Sequence, residues 1–333
     1  MINNKVIFFP DYSGGNPYQK LLYEPCITAG VKVHAGDILL AMTEQERQGG
    51  VIFHIHWLNA IFKNCHDENS AWKEIGNFIR KINKFQRIGG KVIWTIHNHL
   101  PHEKKYSEQD LRLRHFLCQT ANRIHLHCAT HIDELDYLPL IKDNIRIHRH
   151  GNYIGYYGNF CIEDRLQGIE RGEVKVLFLG MLRGYKGIDS LISNIRKIRE
   201  TGADVTIAGN PESPEVKKIV EKFCSENGVR HILRRLSEKE VHELCVEHNV
   251  GILSYDRILT SGTLKLYLSY GMAVIAPSLR TIEAEDRYNS FIYINKDACW
   301  SDSLKKKELL KKASESYFLA DENRWSFSLF ERL

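Results

Sequence analysis

The chain has 333 residues, 43% of them hydrophobic and 26% charged, and a formal net charge of +5. This is ordinary soluble globular composition, long enough for two domains with sizeable cores. The basic excess is too small and dispersed to point to nucleic acid, and suits instead an anionic ligand or an anionic membrane surface.

The first residues, "MINNKVIFFPDYSGG", carry too short an apolar run for a signal peptide, and no stretch approaches the roughly 20 apolar residues of a membrane-spanning helix. The 8 cysteines are scattered without a CxxC pair, so reduced thiols and a cytoplasmic protein are expected.

In chain order, "KVIFF" (5–9), "VIFHIHW" (51–57), "KVIWTIH" (91–97) and "RIHLHC" (123–128) read as strands. Between them "AWKEIGNFIRKINKFQRIGG" keeps Ile75, Phe78, Ile79, Ile82 and Phe85 at helical spacing, and Gly89-Gly90 is its stop. The second half restarts the alternation with "VKVLFLG" (174–180), "DVTIAG" (204–209), "VRHIL", "VGILSY" and "MAVIAPS", each separated by a helical stretch. Alternation of this kind predicts an α/β protein of two Rossmann-like, doubly wound domains facing across a cleft. The boundary is expected within residues 150–173, rich in Gly, Asn and Tyr, giving domains at 1–155 and 156–315, with a final helix at about 316–333 packing back on the first.

Ligands of open α/β sheets bind beyond the carboxyl ends of the strands, so the loops there are the ones to examine. In "FLGMLRGYKGIDSLI" a strand ends at Gly180, and Arg183 and Lys186 precede a helix start. Two cations converging on a helix N-terminus can clamp a diphosphate; a solvated basic turn is the alternative. In "YDRILTSGTLKLYLSYGMAVIAPS", Thr260, Ser261, Gly262 and Thr263 open a helix after a strand, as a phosphate nest or simply as an N-cap. After the first strand, Gly14 and Gly15 would let a ligand approach the backbone. No GxGxxG occurs, which disfavours a nicotinamide enzyme.

Together "FPDYSGGNPYQKLLY", "VIWTIHNHLPHE", "RGYKGIDSLI" and "LTSGTLKLYLSYGMAVIAP" resemble, in order and spacing, bacterial GT-B glycosyltransferases of the family 4 type that build capsule, exopolysaccharide or O-antigen units. The resemblance implies a hexosyltransferase with no metal or other cofactor. The nucleotide-diphosphate sugar (UDP- or GDP-linked) would sit on the C-terminal domain and a saccharide acceptor, lipid-linked, on the N-terminal one. It places the diphosphate clamp on Arg183 and Lys186, the first glycine loop on Gly14 and Gly15, and the histidine of a "T-x-H" strand end on His97. The family's Arg commonly follows the glycine directly, where this chain has Met181. Its pair of glutamates is absent, those places holding Ile258 and Leu266, so the resemblance does not carry over ribose recognition by Glu or retention of configuration.

Histidine doublets recur at His54/His56, His97/His99, His125/His127 and His148/His150. Residues two apart on a strand share a face, so a doublet can enter the site or chelate a metal. A zinc hydrolase would want HExxH or a tight ligand cluster, and neither appears, so no metal is expected. For a single histidine, a hydrogen-bonded structural role is the ordinary expectation. In "HNHLPHE", Pro101 breaks the strand and throws His102 and Glu103 to the sheet's carboxyl edge. Inverting transfer needs a base for the acceptor hydroxyl, for which Asp11, His102 and Glu103 are candidates; retention would use groups such as His97 to steady the sugar.

Lys20, Lys63, Lys81, Lys84 and Arg87 suit peripheral contact with the inner face of a membrane carrying the acceptor, with solvated helix faces as the alternative. The competing classes are a nucleotide-sugar epimerase or phosphorylase-like enzyme on the same fold, and a non-catalytic homologue that partners a transferase.

Overall fold

The computed structural model describes residues 5–99, 104–138, 143–183, 187–294, 302 and 304–331. The chain divides into two compact units, Met1–Arg149 with Trp325–Leu333, and His150–Arg324.

The first unit runs β1 (Lys5–Phe9), α1 (Pro17–Thr28), β2 (Lys32–Ala35), α2 (Ile38–Gln48), β3 (Val51–Ile55), α3 (Glu68–Arg87), β4 (Lys91–Thr95), α4 (Ser107–Thr120), β5 (Arg123–Leu126), α5 (His131–Glu134) and β6 (Ile145–Ile147). Its sheet is parallel, in the order β2-β1-β3-β4-β5-β6. Every residue of β3 and β5 is buried, as in a sheet covered by helices on both faces. Helix α3 forms where the 3.6-residue spacing was read: Ala71, Ile75, Phe78, Ile82 and Phe85 are buried, and an Asp67–Ser70 capping box starts it. It stops because Gly89 takes φ +92° and because a Cβ on Gly90 would lie 2.3 Å from the Phe85 ring.

The second unit runs α6 (Ile162–Glu170), β7 (Lys175–Leu179), α7 (Ile188–Glu200), β8 (Asp204–Ala208), α8 (Pro214–Asn227), β9 (Arg230–Ile232), α9 (Glu238–Glu247), β10 (Val250–Ile252), α10 (Gly262–Ser269), β11 (Ala273–Pro277), α11 (Arg280–Glu283), β12 (Phe291–Ile294) and α12 (Lys306–Asp321). Its sheet is also parallel, ordered β12-β11-β10-β7-β8-β9. Val176, Ile207, Val250, Ile252 and Ile275 from the strands and Leu191, Ile195 and Ile198 from α7 pack into its core.

The division between the units falls at 149/150, against the 155/156 read from composition, because Tyr153 already bonds Ser269 of α10 and Asn152 bonds Ala320 of α12. The segment expected at 316–333 is split. The end of α12 buries Leu319 and Ala320 in the second unit, while Leu329 and Phe330 insert into the first beside Leu22, Tyr23 and Cys26. The Arg123 guanidinium holds that return by donating to the carbonyls of Leu329 and Glu331. Strands β2, β6 and β12 were not anticipated. Each lies at a sheet edge and has only three or four residues, too few for a period to show.

Candidate active site

In each sheet the strand order reverses at one point, between β1 and β3 and between β7 and β10. The carboxyl ends there are where open α/β sheets take ligands. The loop after β1 holds Asp11, Gly14 and Gly15, and the loop after β7 holds Arg183, so these residues stand at the two switch points.

The β1 loop is built by its own polar groups. Buried Gln19 ties it down, accepting from Tyr12 N (2.8 Å) and donating to the Pro10 carbonyl (2.8 Å). Asp11 is exposed, and its Oδ1 accepts from Ser13 N (3.0 Å) and Ser13 Oγ (2.6 Å). Gly15 N and Asn16 N both donate to the Tyr12 carbonyl, and Asn16 caps α1. Apart from its chain neighbours, no atom of the described residues lies within 4 Å of a Cβ built on Gly14, so their packing does not demand a glycine there.

His97 follows β4 and is 8% exposed. Its ring stacks on Trp57 (4.3 Å between centroids, 16° between planes), and Trp57 in turn meets exposed Tyr12 (5.2 Å). The doublet partners crowd beneath it on one face of β3, β4 and β5. His56 Nδ1 lies 3.1 Å from His97 Nε2, and Tyr23 Oη lies 2.7 Å from His56 Nε2 and 2.8 Å from His54 Nδ1. Thr95 Oγ1 joins His54 Nε2 (2.7 Å) to His125 Nδ1 (2.9 Å), and Tyr18 Oη reaches His127 Nε2 (3.2 Å). Burial holds the His54 and His56 imidazoles well below the ordinary histidine range, and neighbouring histidines push the same way. Three of the four doublets thus meet, through Tyr23 and Thr95, which the sequence did not single out. Among the described residues no group of three or more His, Cys, Asp or Glu is placed to hold a metal ion. His102 and Glu103 lie outside the described residues.

Arg114 braces this segment from α4. It pairs with Asp110 and donates to the Asn98 carbonyl (3.2 Å) and to Tyr137 Oη (2.7 Å). Both ions of the pair are buried, with side chains 6% and 1% exposed. Arg114→Ala is expected to cost about 3 kcal/mol, the lower end for breaking a buried pair, because the Asp110 carboxyl, already pushed upward by burial, can take up a proton. Urea unfolding followed by tryptophan fluorescence measures it.

In the second unit three chain segments converge on the end of β7. A Cβ on Gly209 would sit 1.6 Å from the Gly180 carbonyl oxygen, so only glycine lets these backbones run so close. Beyond them Leu182 pairs with Pro211, which steadies the loop carrying half-buried Arg183. Arg183 Nη2 donates to the Met181 thioether at 3.1 Å. Gly187 starts α7 at φ +69°, and a Cβ there would meet the Ser254 carbonyl and Asp256. The first turn of α10 lies opposite: Thr263 Oγ1 is 3.6 Å from a Cβ built on Gly180. Ser261 proves to be the N-cap, accepting from Leu264 N (3.0 Å) and pairing with Tyr255 Oη (3.0 Å). The Thr260 hydroxyl oxygen is buried with no hydrogen-bond partner among the described residues. Gly262 lies against the Tyr153 hydroxyl. Lys186 lies outside the described residues.

One feature of α10 had no signal in the sequence. Lys265 is buried and paired with Glu285 (2.6 Å), the side chains being 4% and 12% exposed. Burial, with Lys265 nearby, pushes the His150 imidazole down to about 4.

Two parallel Rossmann-like sheets with these orders define the GT-B glycosyltransferase fold, and solved structures agree over nearly the whole chain. HepE of Anabaena, in complex with UDP and glucose, superposes with a TM-score of 0.67 at 9% identity, covering 98% of this chain and 96% of its own. Sucrose-phosphate synthase of Thermosynechococcus elongatus gives 0.65 at 13% identity, with 96% and 97% covered. In sequence, the chain is similar to a GDP-mannose:glycolipid 4-beta-D-mannosyltransferase of Xanthomonas campestris pv. campestris. The two are 25% identical over 227 residues, 68% of this chain and 61% of that protein. The chain thus spans about three fifths of the length of the curated relatives it matches. No protein-family model matches it.

Proposed function

We propose that this protein transfers a hexose from a nucleoside-diphosphate sugar, of the GDP-mannose class, to a lipid-linked saccharide in the synthesis of a surface polysaccharide such as a capsule or O-antigen. The observation that carries the reading is the 227-residue similarity to the Xanthomonas mannosyltransferase, on a fold whose second switch point gathers Arg183, Thr260 and the first turn of α10. Arg183, with Lys186, Gly262 and Thr263, binds the diphosphate, and the helix N-terminus adds its partial positive charge. Ser261 shapes that turn as its cap. No metal is required, because these groups meet the charge that builds on the leaving diphosphate. The acceptor binds the first unit, where Tyr12 and Trp57 offer aromatic faces to a sugar ring and Gly14 and Gly15 open the backbone.

The relative's name specifies a β linkage, and forming one from an α-linked nucleotide sugar inverts the anomeric carbon. An inverting reading also suits a chain with Ile258 and Leu266 in place of the glutamate pair. It requires a base for the acceptor hydroxyl, for which Asp11, His102 and Glu103 are the candidates, and His97, stacked on Trp57, is taken to line the same site. No helix among the described residues is long and apolar enough to cross a membrane. We place the protein at the cytoplasmic face of the membrane by peripheral contact: Trp72 is 42% exposed on α3, on a helix that also exposes Lys73, Arg80, Lys84 and Arg87, a pairing that suits an anionic interface.

The test is a thermal-shift panel with GDP, UDP, CMP and ADP in EDTA, followed by transfer of label from GDP-mannose to organic-extractable lipid-linked saccharide. A selective rise with GDP that survives EDTA, and labelled lipid, are expected. No response to any nucleotide sinks the transferase reading in favour of a non-catalytic homologue, and a rise with UDP alone reassigns the donor.

A further inference from the structure

Tyr153, near the start of the second unit, is fastened to α10 at both ends. Its amide donates to Ser269 Oγ (2.8 Å) at the end of that helix, and Ser269 Oγ donates in turn to the Lys265 carbonyl (2.6 Å). At the other end the Tyr153 hydroxyl oxygen lies 3.2 Å from a Cβ built on Gly262, the first residue of α10. The side chain therefore runs back along the helix to its N-terminus. Its ring is 5% exposed and packs on His150 (5.7 Å between centroids) and Tyr157 (6.2 Å). Packing explains the ring and not the hydroxyl. A phenol on a buried ring ordinarily finds a hydrogen-bond partner, and other tyrosines of this unit do: Tyr156 donates to Glu238 (3.0 Å), Tyr267 to the Leu177 carbonyl (3.0 Å), and Tyr270 pairs with His242 (2.7 Å). Among the described residues the Tyr153 hydroxyl has none.

The hydroxyl faces a turn made of donors. Gly262 and Thr263 supply the first two amides of α10, which have no intrahelical acceptor, while the third, of Leu264, is taken by the Ser261 hydroxyl oxygen (3.0 Å). The same turn meets the end of β7, where Thr263 Oγ1 is 3.6 Å from a Cβ built on Gly180. A set in which every group can donate, at the positive end of a helix, suits an anion rich in acceptor oxygens. Burial, with the Tyr157 and Tyr156 phenols nearby, pushes the Tyr153 phenol upward, so it keeps its proton at working pH and offers it only as a hydrogen bond. We propose that Tyr153 is a donor-binding residue whose hydroxyl hydrogen-bonds a phosphate oxygen of the nucleoside-diphosphate sugar seated on the first turn of α10. The assignment rests on the reading of that turn as the diphosphate site. Because the residue is tied to α10 by its own amide, the hydroxyl is in place before the donor arrives and little freedom is lost on binding. As the sugar departs, the diphosphate gains charge and the bond from the phenol strengthens with it.

The test uses the full chain with GDP, or with UDP where the nucleotide panel selects it. Tyr153→Phe removes the hydroxyl alone. It is expected to weaken binding of the nucleoside diphosphate by about tenfold to a hundredfold in isothermal titration calorimetry, the range for one hydrogen bond to a charged group. The 31P resonances of the bound nucleotide should move in that variant, a change that a packing role for the ring would not produce, and the melting temperature without nucleotide should stay at the wild-type value. Tyr156→Phe, whose lost hydroxyl serves Glu238, should bind as the wild type does. Unchanged affinity and unmoved 31P resonances in a folded Tyr153→Phe overturn the assignment and leave the transferase reading standing. An equal loss in Tyr156→Phe also overturns it, as a general loosening of the segment. Should Tyr153→Phe fail to fold, 3-fluorotyrosine placed at position 153 keeps the hydroxyl, and its 19F resonance is expected to move when the nucleotide is added; no movement overturns the assignment. A wild-type protein that binds neither GDP nor UDP overturns both the assignment and the function on which it rests.

Discussion

Lowering the pH from 6.5 to 5 is expected to remove about 3 kcal/mol from the stability of the first unit, out of the 5–15 typical of a domain. The sign follows from where the protons go. His54 and His56 have folded-state affinities depressed well below the ordinary histidine value of 6.5, chiefly by burial, so above that pH both states are neutral and the histidines cost nothing. Below it the unfolded chain takes up protons that the folded one excludes, and stability falls by about 1.4 kcal/mol per pH unit for each such histidine. Two histidines that stay neutral in the fold give the figure, the full slope being reached only below about pH 6 because half of the unfolded imidazoles are already protonated at pH 6.5. His148 moves in the same direction, and in the second unit His150 falls to about 4, so both units lose stability in the same window. Urea midpoints at pH 7.5, 6.5, 5.5 and 5, read by tryptophan fluorescence, measure the slope. A flat profile across that range would mean that the histidines titrate normally in the folded state and that the network is open to water.

Arg183→Ala is expected to lower kcat/KM for the sugar donor by about 10²–10³, with little change in stability. The side chain is half-buried on the loop that Gly180, Gly209 and the Leu182–Pro211 pairing hold beside the first turn of α10. Among its contacts is a thioether, a weak acceptor that a phosphate oxygen would readily replace. In the transition state the leaving diphosphate gains charge, and a guanidinium there acts more strongly than on the bound donor, so kcat should fall along with affinity. Arg183→Lys should recover only part of the loss, because a point charge cannot make the paired contacts of a planar fork. Initial rates of transfer, with the nucleotide-induced thermal shift as an independent reading of binding, check both variants. An Arg183→Ala enzyme with wild-type kcat/KM would remove the β7 loop from the donor site.

The alternation of apolar runs with helical spacing determined the α/β class, the two parallel units and the cores of β1, β3, β4, β5, β7, β8, β10 and β11. Buried central strands are written as short continuous apolar stretches, and the helices covering them must repeat every 3.6 residues. Gly180, read as the end of its strand, is required there, since its backbone and that of Gly209 approach too closely to admit a side chain, whereas packing makes no such demand at Gly14. Strands β2, β6 and β12 escaped notice, whereas β9, an edge strand just as short, was legible in "VRHIL". The division of the chain's end also escaped notice, because only contact with Arg123 and the α1 side of the first unit shows where Leu329 and Phe330 belong.

The histidines mark the boundary between the two kinds of knowledge most clearly. Their spacing of two residues put each doublet on one face of a strand, and that much is local geometry. Whether His54 is a ligand, a base or a hydrogen-bonded core residue depends on Tyr23 and Thr95, which come from α1 and β4. Ser261 likewise read as a cap or as part of a phosphate nest, and it is the tertiary structure that shows the Leu264 amide using its hydroxyl oxygen. A side chain's role is set by what occupies its hydrogen-bonding directions, and in this fold those partners are brought together by strands and helices distant in sequence.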